Sequence, residues 1–112
     1  MGFDQIQIEP APIAPVYVNH LLGEQATGGG TSTRDAWQTL REAGAMARTL
    51  MIAAAAQTWG VPASECRARR ARIHHADGAR SLTYGELTAT AASLPVPSSV
   101  DLKGRSDWTL IG

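Results

Sequence analysis

At 112 residues the chain has room for one domain at most and for a modest core. Ten basic and ten acidic residues cancel, so no net field draws the chain to nucleic acid or to a membrane surface. The single cysteine, Cys66, excludes an internal disulfide. The apolar run from Leu50 to Ala56 is far too short to span a bilayer, and the first residues lack the basic-then-apolar pattern of a leader.

In chain order, Gln5 to Glu9 alternates polar and apolar side chains, the period of a half-buried strand. Pro10, Pro12 and Pro15 stop it, because each removes a donor and fixes its own φ. Val16-Tyr17-Val18 reads as a short second strand. Gly23 to Thr33, with Gly28-Gly29-Gly30 at its centre, is a loop. A long helix follows, with Trp37, Leu40, Gly44, Ala47, Met51, Ala54 and Thr58 at three- and four-residue steps. Ser32 and Asp35 predict a capping box at its start. Gly60 and Pro62 predict its stop. The small residues along it let a sheet or another helix approach its backbone.

Glu65 to His75 alternates again and reads as one poorly apolar edge strand. Cys66, Ala68, Arg70 and Arg72 fall on one face; Arg67, Arg69, Ala71 and Ile73 fall on the other. Asp77-Gly78 is a turn, and Arg80 to Thr83 is the returning strand. Thr83 and Glu86 predict a second capping box, opening a helix to about Ser93. The order predicts an α+β fold: strand, Gly-rich loop, long helix, hairpin, short helix, extended tail. Residues 1–97 form the α+β segment and 98–112 a tail or linker. The strands carry so few apolar residues that the sheet is expected to be completed from outside the chain.

The chemistry concentrates in Gln25-Ala26-Thr27-Gly28-Gly29-Gly30-Thr31-Ser32-Thr33. A helix N-terminus offers unpaired N–H groups and a partial positive charge. Glycines let a ligand come close, and the Thr and Ser hydroxyls add donors. Together these suit a phosphate or pyrophosphate. No Gly-Lys-Ser/Thr follows, so this is not a P-loop, and the glycine spacing is not that of a dinucleotide fingerprint. The same residues also make an ordinary flexible turn before a capped helix. His74 and His75 point to opposite faces of a strand and match no zinc spacing, so both read as solvated hairpin residues. The Arg67–Arg72 cluster could bind an acidic partner or nucleic acid, but without interleaved aromatics in a neutral chain it reads as a solvated strand edge; Cys66 reads as a thiol without a catalytic partner. Trp37 and Trp59 read as packing residues.

Several runs taken in order resemble one family. They are Gln25 to Ser32, Arg34-Asp35-Ala36-Trp37, Leu40 to Ala45, Ala53 to Ala56, Trp59-Gly60-Val61-Pro62, Glu65-Cys66, Tyr84-Gly85-Glu86-Leu87, Leu94 to Pro97 and Leu110-Ile111-Gly112. Together they resemble the molybdopterin-binding large subunit of the xanthine dehydrogenase/aldehyde oxidase superfamily. The nearest branch is the isoquinoline 1-oxidoreductase beta-subunit and membrane-associated aldehyde dehydrogenase branch.

The resemblance implies a molybdenum-dependent oxidoreductase that hydroxylates aldehydes or N-heterocycles with oxygen from water. It implies a molybdopterin cofactor, often in the cytosine dinucleotide form. The implied partners are the remainder of the large subunit, a small subunit with 2Fe–2S clusters and, in this branch, cytochrome c. Members of the branch are often periplasmic or membrane-associated. The cofactor-contacting residues it implies are Gln25, Thr27, Gly28, Gly29, Thr31 and Ser32. Gly30 stands where the family usually has Ser, removing one hydroxyl donor. The family's catalytic Glu and its other Gly-rich loops have no counterpart here, so no catalytic or metal-binding residue is assigned. The chain is therefore expected to be inactive alone and to retain no cofactor. Two other classes are a stand-alone module for a phosphate-bearing ligand and a structural piece that buries Trp108, Leu110 and Ile111 against a partner.

Overall fold

The computed structural model describes residues 6–108. Its architecture is α+β: a long helix α1 (Thr31–Trp59), three short strands β1 (Cys66–Arg69), β2 (Arg72–His75) and β3 (Ser81–Thr83), and a short helix α2 (Tyr84–Ala92). The strands form one antiparallel sheet in the order β1-β2-β3. Two helices and a small sheet are what a partial domain of a larger protein would contain.

Helix α1 ends as its sequence dictates. Gly60 takes the left-handed conformation (φ 65°), and the Val61 N–H reaches back to Ala56 O at 3.0 Å. Only a residue without Cβ adopts that φ without strain. The start differs from expectation. The helix begins at Thr31, one residue before the expected cap, with left-handed Gly30 at the N-cap and no side-chain cap. Ser32 lies inside the helix, so the Ser32–Asp35 capping box does not form. The glycine run supplies the turn that Ser32 was expected to make.

Only the C-terminal half of α1 enters the core. Ala54, Ala55 and Ala56 are buried together with Cys66, Ile73, Leu87 and Ala91. Three successive positions sweep about 200° of a helix, so α1 is embraced from more than one side, by α2 and by the sheet. Ile73 and Leu87 are its largest fully buried side chains, each contributing about 1.5–3 kcal/mol by burial. Of the expected stripe only Met51 and Ala54 hold; Thr58 beyond them is exposed, and so are the stripe positions before them. Trp37 and Leu40 are exposed at 40% and 67%, and Gly44 and Ala47 are exposed too.

The sheet corrects a second expectation. Residues 65–75 are not one strand. Arg70 and Ala71 both adopt positive φ (49° and 58°) and fold the run into a two-residue hairpin. A two-residue turn of this hand matches the twist of antiparallel strands, and Asn-Gly is its usual sequence. With neither residue present, no turn was visible. The hairpin moves Ile73 onto the face of Cys66 and Ala68, where Leu82 joins it. A continuous strand would have put Ile73 on the opposite face. β2 is therefore the central strand, not an edge. The Thr83 capping box does form. The Glu86 N–H donates to Thr83 Oγ1 at 3.2 Å, and the Thr83 N–H donates to Glu86 Oε2 at 2.8 Å.

The ends hold two further differences. Ile6 to Glu9 is irregular and exposed rather than a strand, and Gln5 lies outside the described residues. Val16 and Tyr17 belong to a 3-10 turn, Pro15–Tyr17, because Pro15 suits a first helical position. The tail after Leu94 runs back along α1. Arg48 donates to Asp101 O (2.9 Å) and Arg41 to Lys103 O (2.8 Å). Trp108 meets Trp37 edge-to-face at 5.7 Å. Trp108, which the structural alternative would bury against a partner chain, thus packs within this one. Leu110 and Ile111 lie outside the described residues.

Arg70 and Ala71 in the left-handed region are each disfavoured by roughly 1–2 kcal/mol. The double substitution Arg70→Asn, Ala71→Gly is expected to raise stability by about 1 kcal/mol or more. The check is the urea midpoint at constant m-value.

Candidate functional site

Gln25, Ala26, Thr27 and Ser32 line one side of a cavity of about 510 Å³ at the start of α1. Its organiser is Asn19, which the sequence did not single out. Asn19 is buried and forms a bridge with Glu24. Its side-chain amide donates to Thr31 Oγ1 (2.9 Å) and Ala26 O (3.4 Å), while Oδ1 accepts from the Leu21 N–H (3.0 Å). Its backbone carbonyl accepts from Leu22 and Gly23. One side chain therefore ties residues 19–26 to the first residue of α1. An Asn in a turn does this well, because its amide mimics a peptide group. A lone Asn among apolar residues leaves no other mark in a sequence.

The six site candidates separate by what their polar atoms already do. Gln25 donates to Pro12 O (3.0 Å) and accepts from the Ala14 N–H (3.1 Å), so both ends of its amide hold the Pro-rich segment in place. Thr31 Oγ1 donates to Gly28 O at 2.7 Å and accepts from Asn19. These two residues build the loop. Thr27 and Ser32 line the cavity, as does Gln25. No hydrogen bond within the chain engages the Thr27 or Ser32 hydroxyl among the described residues. Gly28, Gly29 and Thr31 do not line the cavity. A Cβ placed on Gly28 or Gly29 would meet nothing within 4 Å, so these glycines are open to an approaching ligand. Gly29 also has φ 54°, which the turn itself requires.

The electrostatics are mixed. The first turn of α1 carries no carboxylate and no side-chain cap, so its amide dipoles face outward unopposed. Asp35 lines the same cavity, and His20 Nδ1 lies 3.2 Å from its carboxylate. The Thr27 and Ser32 hydroxyls therefore share their cavity with one carboxylate, Asp35. Among the described residues no group of three or more His, Cys, Asp or Glu could hold a metal ion. No helix of the described residues is long and apolar enough to cross a membrane.

A second polar cluster lies at the far end of α1. His75 is buried, not solvated as expected, because the hairpin turns it onto the core face opposite Cys66. Its Nε2 lies 2.9 Å from Glu65 and its Nδ1 3.0 Å from Asp77. Trp59 meets its ring edge-to-face. Arg80 Nε donates to Asp77 at 2.7 Å. That hydrogen bond, with the Ala79 and Arg80 N–H groups, holds the Asp77 carboxyl well below the usual carboxylate range. Burial, reinforced by Glu65, pushes the Cys66 thiol up, so it is not an activated nucleophile. The cluster clamps the β2–β3 turn onto the end of α1; no nucleophile within it suits catalysis.

Asn19→Ala removes the tie between loop and helix. It is expected to cost about 1–3 kcal/mol and to speed amide exchange at Leu21 to Gly23. Exchange measured by NMR, with α2 as internal reference, checks this. For Asp77 the sign is that of a depressed carboxylate. Its stabilisation is present at neutral pH and disappears as pH falls through its lowered folded value. Stability is expected to drop on acidification below the normal carboxylate range, less steeply in Arg80→Gln. Urea midpoints across the acid range measure it.

No family model and no solved structure matches the chain. Among curated proteins it is similar to the isoquinoline 1-oxidoreductase subunit beta of Brevundimonas diminuta, with 36% identity over 99 residues. That similarity covers 87% of this chain and 12% of the relative, so the chain spans about an eighth of the length of the oxidoreductase subunit it matches.

Proposed function

We propose that this chain is a piece of the molybdopterin-binding large subunit of a molybdenum hydroxylase, and that its Gly-rich turn forms one wall of the cofactor site. The observation that carries this is the similarity to an oxidoreductase beta subunit over 87% of the chain, a span that cannot leave the turn and α1 out together. Two physical features support it. The start of α1 is uncapped and free of carboxylate, with the Thr27 and Ser32 hydroxyls and two open glycines beside it. That is the equipment of a phosphate-binding helix start. Val16 and Leu40, two large apolar side chains lining the same cavity, are also exposed.

In this reading the α1 N–H groups, Thr27 and Ser32 would hold the phosphate end of a molybdopterin, and Gly28 and Gly29 would let it approach. Gln25, Thr31 and Asn19 keep that wall in shape. When bound, the cofactor supplies the molybdenum chemistry that adds water-derived oxygen to an aldehyde or N-heterocycle. This chain supplies position and hydrogen bonds, and no residue for proton transfer at the metal. Electron transfer to a 2Fe–2S subunit and on to cytochrome c would belong to the rest of the assembly.

The isolated 112-residue chain is expected to retain no pterin and to turn over no aldehyde or N-heterocycle. Within the whole subunit, Thr27→Ala with Ser32→Ala is expected to lower pterin content several-fold, with the fold kept. Fluorescence of the released, oxidised pterin reads occupancy directly. Unchanged occupancy in the double variant, or turnover by the isolated chain, contradicts the proposal.

A further inference from the structure

Five of the chain's ten Lys and Arg residues line one groove of about 870 Å³: Arg41, Arg48, Arg69, Arg70 and Lys103. The groove lies between the middle of α1, the β1–β2 turn and the returning tail. One carboxylate, Asp107, shares it. For a chain with equal numbers of acids and bases, this is a marked local excess. None of the five cations makes an ion pair among the described residues. Arg41 and Arg48 donate to the carbonyls of Lys103 and Asp101, and neutral carbonyls leave the guanidinium charge uncompensated. Arg69 also faces Arg72 directly across the ladder, and like charges in that position repel. The turn that carries Arg70 is strained.

We infer that this groove is a docking surface for an acidic, extended polypeptide segment. Charge complementarity is the argument: a string of carboxylates would meet cations presented by three separate elements, each free to make a charge-assisted hydrogen bond. A nucleotide fits less well. The Arg41 guanidinium already lies over both Trp37 and Trp108 (5.1 and 5.5 Å), and the two rings contact each other, so their faces are not free to stack on a base. A compact phosphate fits less well too: the helix start that borders the groove, at Tyr84 of α2, is already closed by the Thr83–Glu86 capping box and carries a carboxylate in its first turn. The inference does not depend on the cofactor reading and concerns a different face of α1.

The test uses the full chain and a fluorescein-labelled hexaglutamate peptide, with anisotropy read at low ionic strength. Saturable binding is expected, weakened roughly tenfold or more by Arg69→Gln with Arg70→Asn and unchanged by Arg34→Gln, which lies outside the groove. Asn tolerates the left-handed conformation at position 70, and circular dichroism verifies the fold. Should that pair not fold, Lys103→Gln removes a groove charge without touching the turn, and weaker binding is again expected. Three results overturn the inference. One is no saturable binding by the folded chain. Another is equal loss in Arg34→Gln and the groove variants. The third is tighter binding of tripolyphosphate with the same variant pattern, which would make the groove a phosphate site.

Discussion

Ala54, Ala55 and Ala56 have no side chain beyond Cβ, and this lets a three-stranded sheet and a second helix close on the same turn of α1. A larger residue at any of the three would hold one layer off and open space in the other. The remaining core residues are few. Ile73, Leu87 and Cys66 fill what the alanines leave, and Trp59, Leu50 and Leu94 close the margin. The His75 cluster then seals the end of that core with polar contacts. Because Glu65, Asp77 and Arg80 surround the imidazole, its burial leaves no polar atom without a partner.

Wherever the backbone relies on a residue with one strong preference, the sequence was readable. Gly60 stopped α1 and Thr83 with Glu86 opened α2, because each satisfies helix-end groups by local chemistry. The β1–β2 turn was unreadable for the opposite reason: Arg70 and Ala71 adopt a conformation that neither favours. The turn reverses the faces of Ile73 and His75 relative to a continuous strand, since a strand's faces are set by register. The Gly-rich turn is legible from composition, whereas the residues that shape it are legible only in part. Gln25 and Thr31 looked like ligand donors, and their polar atoms turn out to hold the loop together. Asn19 acts through long-range contacts that no local pattern reveals.

The chain thus carries two surfaces of different character. One is small, glycine-rich and hydroxyl-lined at the start of α1. The other is broad and basic along its middle. The first owes its shape to Asn19 and the second to the tail that Arg41 and Arg48 hold in place. Both lie along one continuous helix, roughly 43 Å long at 1.5 Å per residue.

That length has a dynamic consequence. One continuous ladder of hydrogen bonds runs from Thr31 to Trp59, yet only its C-terminal half carries buried side chains. The core-bound turns can open only when the core itself comes apart. The turns nearest the glycines can fray with far less disruption, restrained by little more than Asn19 and the tail. A single helix then contains two units of different opening free energy, with the weaker one carrying the glycine-rich wall. A ligand or partner that immobilises that wall would lengthen the cooperative unit, and part of its binding free energy would appear as slowed amide exchange several turns from the point of contact.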